Sequence, residues 1–286
     1  MNTSTDLSDT RTDPYLGTVV HVVGARQARP NLPSTGCPFC VGGLEAPESY
    51  QVRWFTNRWP AMPGERCEVV LYTPEHDATL PSLGVAGVRR VIDLWAERFA
   101  ELGSRDDVDY VLIFENRGPE VGATIAHPHG QIYAYDHVPR RPAQLLASAW
   151  QPDPSDDRFV AALGAWQAYV PHAATYPIAV TLAPQTRVPD LVALDDHGRD
   201  ELAAMMVDVF ARLDALYERP LPYMMWFHQR PTDGGDWPSA WLHLEIVSPW
   251  RSAGTARFIA AAEVACEEYF NPVIPEELAA RLRDLG

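Results

Sequence analysis

Tyr110-Val111-Leu112-Ile113-Phe114-Glu115-Asn116-Arg117, followed by His127-Pro128-His129-Gly130-Gln131-Ile132-Tyr133, has a second version further along the chain. There the text reads Tyr223-Met224-Met225-Trp226-Phe227-His228-Gln229-Arg230, followed by Trp241-Leu242-His243-Leu244-Glu245-Ile246. Each opens on a short apolar run that reads as a buried strand. What precedes them is duplicated too. The strand-like run 68–72 leads into a helical pattern from Val85 to Leu102, with Val88, Val91, Ile92, Trp95, Phe99 and Leu102 at three- and four-residue steps. The run 178–182 leads into a second helical pattern, from Asp200 to Tyr217, with Leu202, Met205, Met206, Val209, Leu213 and Leu216 on one face. Strand, helix, strand, strand, written twice, predicts a duplicated α+β fold. The two units would share one mostly antiparallel sheet, a half-barrel with flanking helices. The halves would span 14–140 and 141–286, with an Asp/Pro/Ala-rich connection at 136–165. The tail from Ser252 to Leu285 reads as mostly helical, broken at Asn271-Pro272.

Composition narrows the function classes. Of 286 residues, 47% are hydrophobic and 21% charged, which excludes wholesale disorder. The net charge is −15 and the chain has no Lys, so all 23 fixed cations are Arg. That balance argues against a diffuse basic surface for nucleic acid or anionic lipid, but leaves room for a small anion held by a few placed Arg. No apolar run approaches the roughly 20 residues needed to span a bilayer. The segment Met1 to Asp13 is polar, so a cytoplasmic location is expected. Four Cys in this length make no disulfide scaffold. Cys37-Pro38-Phe39-Cys40 reads as a metal knuckle or a redox pair.

The strongest chemical signal is His127-Pro128-His129-Gly130-Gln131. Residues two apart on a strand share a face, so both imidazoles can serve one site. A neutral imidazole held through one nitrogen is a competent nucleophile toward phosphorus. Gly130 would let the backbone approach a ligand, and the Gln131 amide can donate to a phosphoryl oxygen. His76 and His127 complete a Cys2His2 set with Cys37 and Cys40, the four-donor complement of a structural zinc. Arg26 and Arg29, just before the knuckle, could bracket a diphosphate.

Taken in order, Arg26 to Pro30, Cys37 to Cys40, Thr56-Asn57-Arg58, Pro74 to His76, Phe114 to Gly118, Gly122-Ala123-Thr124 and His127 to Gln131 resemble the galactose-1-phosphate uridylyltransferases. These form a branch of the histidine-triad superfamily built from two such repeats. The resemblance continues through His228, His243 to Glu245, and Arg257-Phe258 to Glu263. It implies a double displacement in which His129 attacks the α-phosphorus of UDP-glucose, releases glucose 1-phosphate and becomes a uridylyl-histidine. Galactose 1-phosphate, or a related hexose 1-phosphate, then takes the uridylyl group. By the same resemblance, Gln131, Arg26 and Arg29 offset phosphoryl charge. Asn57, Arg58, Asn116, Gly122, Ala123 and Thr124 hold uridine and phosphates, and Cys37, Cys40, His76 and His127 hold zinc. It implies a homodimer with shared active sites, Arg257, Phe258 and Glu263 reaching the partner's sugar pocket. It also implies a second metal, iron or a second zinc, at His228, His243 and Glu245.

The chain departs from that pattern in three places. The stretch 136–165, where relatives carry an acidic fourth ligand for the second metal, contains no Glu, with Asp153, Asp156 or Asp157 as candidate substitutes. Ala261-Ala262 precede Glu263, and Tyr269 follows, where smaller or more polar residues are usual. Arg257 replaces a common Lys. Two other readings stand beside the transferase: a phosphorylase or hydrolase of ADP-sugars or dinucleoside polyphosphates using the same His129, and a catalytically idle zinc-stabilised scaffold.

Overall fold

The computed structural model describes residues 8–28 and 36–286. Strands β1 (Ser8–Thr12) and β2 (Val19–Val23) pair as a separate hairpin. The next nine strands form one sheet. Its strands are β3 (Arg53–Thr56), β4 (Cys67–Leu71), β5 (Tyr110–Arg117), β6 (His129–Tyr135), β7 (Phe159–Leu163), β8 (Trp166–Tyr169), β9 (Ile178–Pro184), β10 (Tyr223–His228) and β11 (His243–Ser248). They lie in the order β3-β4-β6-β5-β10-β11-β9-β8-β7, every pairing antiparallel. The central six read β4-β6-β5 and then β10-β11-β9, so the second half repeats the first about an axis between β5 and β10. This is the duplicated antiparallel α+β arrangement expected from the repeated text.

Helices α1 (Leu80–Gly103) and α3 (Asp196–Ala215) cover one face and pack on each other. Thr79 and Ser82 form a reciprocal capping box at the start of α1. Gly84, at φ 63° and ψ 174°, breaks the first turn from the long run that follows, a conformation a side chain would strain. Asp195 caps α3 by accepting from the Gly198 N–H. Apolar residues at helical spacing on α1 and α3 meet Val111, Ile113, Ile132, Val180, Leu182, Met225, Phe227, Leu244 and Ile246 in one core.

Strand alternation sends the intervening side chains to the other face. Successive register pairs align Val69, Gln131, Phe114, Trp226, Glu245 and Thr181 in one row across it. Two pieces of chain cover this face. Around residues 37–50, Phe39 and Ala46 bury Val69 and Leu71. Over the second half lies α2 (Arg140–Ala147), with Trp150 just beyond it.

Two parts differ from the sequence reading. The tail is far less helical than expected. It forms a hairpin of β12 (Trp250–Ser252) and β13 (Thr255–Ala256), one short helix α4 (Ala261–Cys266), and α5 (Pro275–Asp284). Gly254 at φ 68° makes the hairpin turn, and Glu267 at φ 54° ends α4. The connection 136–165 also holds structure of its own, since α2 and β7 fall within it. No helix among the described residues is long and apolar enough to cross a membrane.

Candidate active site and metal centre

Cys37, Cys40, His76 and His127 converge, their ligand atoms all within 4.8 Å of one another. The Cys40 sulfur lies 3.5 Å from His76 Nδ1 and 3.6 Å from His127 Nδ1. A tetrahedral zinc with Zn–S of ~2.3 Å and Zn–N of ~2.0–2.1 Å has an S···N edge of about 3.6 Å. Donor chemistry and spacing therefore both fit a closed, four-ligand zinc. His127 is buried, and its Nε2–H donates to the Thr73 carbonyl at 2.7 Å, which leaves Nδ1 as the ligand nitrogen. Burial lowers the His127 pKa, keeping the ring neutral as a ligand must be. Burial, and then the neighbouring Cys37, raise the Cys40 pKa, so a bound cation would be what keeps that sulfur ionised.

Two residues that were not singled out in the sequence organise this centre. The Tyr50 hydroxyl lies 2.7 Å from the Phe39 carbonyl, 2.8 Å from the Thr73 carbonyl and 3.0 Å from His127 Nε2. Phe39, between the two cysteines, sets its ring edge-on to His129, with centroids 5.0 Å apart. Its place inside the Cys-x-x-Cys was a visible signal. Nothing in the text marked Tyr50.

His129 opens β6, on the same face as Gln131. Its Nδ1 lies 2.7 Å from the His127 carbonyl, which can only accept, so Nδ1 carries the proton and Nε2 the lone pair. His127, His129 and Asn116 line one cavity, together with Glu115, Arg117, Gly118, Tyr72 and Tyr223. Gly130 serves packing rather than ligand approach, because a Cβ there would drive into the Tyr72 hydroxyl. Tyr223 donates to buried Glu115 at 2.8 Å, and burial drives the Glu115 pKa up to about 7.

The other expected binding residues are spread more widely. Asn57 follows β3 and accepts from the Trp59 N–H, while exposed Arg58 pairs with Glu45 at 2.9 Å. Arg26 lies in the turn Gly24–Ala28, near Cys67. Arg29 lies outside the described residues. Gly122, Ala123 and Thr124 form the loop into the histidine segment, with Gly122 at φ 84° and the Ala123 N–H donating to the Gly118 carbonyl. Arg257 and Glu263 are not held open for a ligand. They pair with each other, Glu263 accepts from the Ala260 and Phe270 N–H groups, and Arg257 donates to the Thr175 and Phe270 carbonyls. Phe258 is 77% exposed. Thr175 precedes β9, four strands from β6, or about 19 Å at ~4.8 Å per strand.

His228, His243 and Glu245 also converge within 4.8 Å, on the same face of the second half. His243 repeats the geometry of His129: its Nδ1 donates to the Trp241 carbonyl, two residues back, at 2.8 Å. Burial and the neighbouring His228 push its pKa down to about 3. Burial works to raise Glu245, yet His228 and Arg141 hold it near 2.

The chain matches the models of the galactose-1-phosphate uridyl transferase N-terminal domain over residues 56–139 and C-terminal domain over residues 126–286. It is 33% identical to the galactose-1-phosphate uridylyltransferase of Thermotoga maritima, across 97% of this chain and 98% of that one. It is 34% identical to the Streptomyces lividans enzyme of the same name, across 98% and 87%. A solved uridylyltransferase superposes with a TM-score of 0.88 at 28% identity, covering 96% of this chain and 98% of that one. An Arabidopsis thaliana ADP-glucose phosphorylase shares the fold, with a TM-score of 0.78 at 21% identity over 98% and 99%.

Proposed function

The chain belongs to the galactose-1-phosphate uridylyltransferase family, and from that premise we propose that it exchanges a uridylyl group between UDP-glucose and galactose 1-phosphate, or a related hexose 1-phosphate. The observation that carries this reading is the His129 imidazole, held through Nδ1–H by the His127 carbonyl so that Nε2 is the nucleophile. In the first step Nε2 bonds to the α-phosphorus as the bond to the bridging oxygen breaks, and glucose 1-phosphate leaves with that electron pair. In the second, a phosphate oxygen of the acceptor displaces Nε2, forming the new UDP-sugar. The carbonyl partner stabilises the positive charge that the ring carries while phosphorylated. Gln131, two residues on along the same face, donates its amide to a phosphoryl oxygen, and Arg26 and Arg29 supply charge from the preceding segment. Asn57, Asn116 and the 122–124 loop take the uridine side.

Cys37, Cys40, His76 and His127 would hold a zinc whose role is structural, since four protein donors complete its coordination. His127 is both a zinc ligand and the owner of the carbonyl that holds His129. The tail's distance from His129 within one chain supports the shared-site homodimer, in which exposed Phe258 faces a partner's pocket. Glu263 and Arg257 then shape the tail rather than touch sugar. Free thiols and phosphorylated substrates suit a cytoplasmic enzyme.

Intact-mass measurement after mixing with UDP-glucose tests the reading. The chain should gain one uridylyl group, lose it to galactose 1-phosphate, and show neither change as His129→Ala. An adduct formed only from ADP-glucose would reassign the enzyme to the phosphorylase class, and no adduct with any nucleotide sugar would leave it a scaffold.

A further inference from the structure

The resemblance that implies a second metal meets a site that does not fit one. Three donors come close, but two of them are already engaged by protein groups. His228 Nε2 lies 2.8 Å from the Trp226 indole nitrogen and 3.0 Å from Glu245 Oε1, so protein groups already crowd the nitrogen a metal would take. Arg141 donates to Glu245 Oε2 at 2.8 Å, and its guanidinium lies 5.4 Å over the Trp226 ring. A fixed cation therefore already sits where a second one would have to enter.

Among the described residues no fourth ligand joins these three. The chain segment lying over the two histidines is α2, and the side chains it brings there are Pro142, Leu145 and Leu146. Of the connection's acids, Asp153 lines a cavity beside Glu245 but pairs with Arg158 at 3.3 Å, Asp157 accepts from Ser155, and Asp136 pairs with Arg66. Beyond α2, the Trp150 ring lies flat on His243, with centroids 3.6 Å apart and planes 17° from parallel. His243 in turn stacks on His228 at 4.4 Å. What remains for a metal is His243 Nε2 and one Glu245 oxygen, fewer donors than a stable site uses.

We propose that the second half is metal-free, with Arg141 as its built-in cation, and that α2 and Trp150 form a strap closing the second copy of the catalytic histidine's geometry. The strap does for the second half what the knuckle does for the first. Each covers an imidazole fixed through Nδ1 to the carbonyl two residues before it, one with a metal site and one with an arginine. Because this concerns composition rather than turnover, it stands or falls apart from the reaction proposed above.

Counting metal is the test. The purified chain, incubated with excess zinc or, anaerobically, with ferrous iron and then desalted, should carry one equivalent per chain by inductively coupled plasma mass spectrometry. Cys37→Ser should remove it. Replacing the strap's two contacts, as Arg141→Ala with Leu145→Glu, should raise the count to two, and adding His243→Ala should return it to one. A second equivalent in the unaltered protein, lost with His243→Ala, overturns the proposal. So does a double variant that melts cooperatively yet stays at one equivalent, since Arg141 and Leu145 would then not be what keeps metal out. Arg141→Ala alone should lower the melting midpoint by several degrees at an unchanged metal count, and an unchanged midpoint would deny the strap its clamping role.

Discussion

Glu115 shows what strand alternation costs when a carboxyl falls on the inward side. Its neighbours Phe114 and Asn116 face the open side, while Glu115 enters the core between the two halves, 3% exposed. A folded-state pKa near 7, against about 4.3 in an unfolded chain, means that the folded protein binds the extra proton. The stability this contributes is present below the unfolded value and is lost as the pH rises toward 7. Denaturant unfolding at pH 5 and pH 8 should therefore show a fall, of up to about 3 kcal/mol, that Glu115→Gln largely abolishes. Equal pH slopes for the two proteins would place the carboxyl in a more polar setting than the structure gives. Behind the same strand pair, Tyr72 occupies the space that Gly130 leaves, so that glycine is explained by a neighbour 58 residues away. The motif made Gly130 conspicuous, but the sequence could not say which atom needed the room.

The knuckle element has a comparable dependence on a residue outside its motif. Tyr50 closes the segment by bringing one hydroxyl to the carbonyls of Phe39 and Thr73 and to the ring of His127. Partners of this kind typically contribute 10–100-fold to metal affinity. Tyr50→Phe should therefore release zinc to a competing chelator about that much more readily, while the far-ultraviolet dichroism stays unchanged. Affinity indistinguishable from the parent would make Tyr50 a packing residue only. The elements that were legible are those with a strong period: α1, α3 and the paired strands carry their apolar residues at 3.6- or 2-residue spacing. The tail was misjudged because scattered Ala and Glu imitate a helix, whereas Gly254 and the Asn271 bonds to the Ala174 and Tyr176 carbonyls decide its course. Those bonds span nearly a hundred residues and leave no local trace.

At the scale of the molecule, the duplication and the shared antiparallel sheet were readable, but the junction was not. The repeated text told of two like units on one sheet; only the register of Tyr223 to Trp226 against Arg117 to Phe114 shows which strands join them. The same holds of the site. The four zinc-type ligands and His129 were legible as residues, but the divergence of the second site rests on Trp226, Leu145 and Trp150, which carry no motif. Since β5 pairs with β10 and α1 packs on α3, neither half has a complete core. Residues 14–140 expressed alone should fail to fold as a monomer, and a dispersed amide spectrum from a monomeric fragment would show that the junction matters less than its burial suggests. The junction also has a consequence in time. Tyr223 emerges from the ribosome 106 residues after Arg117. At ~5–20 residues per second, the nascent β5 edge waits about 5–20 s for its partner. Through that interval β5 can pair with β6, but its other edge stays open and can pair with a neighbouring nascent chain on the same message. Slowing elongation between codons 118 and 222 lengthens that exposure and should lower the yield of folded protein in a cell.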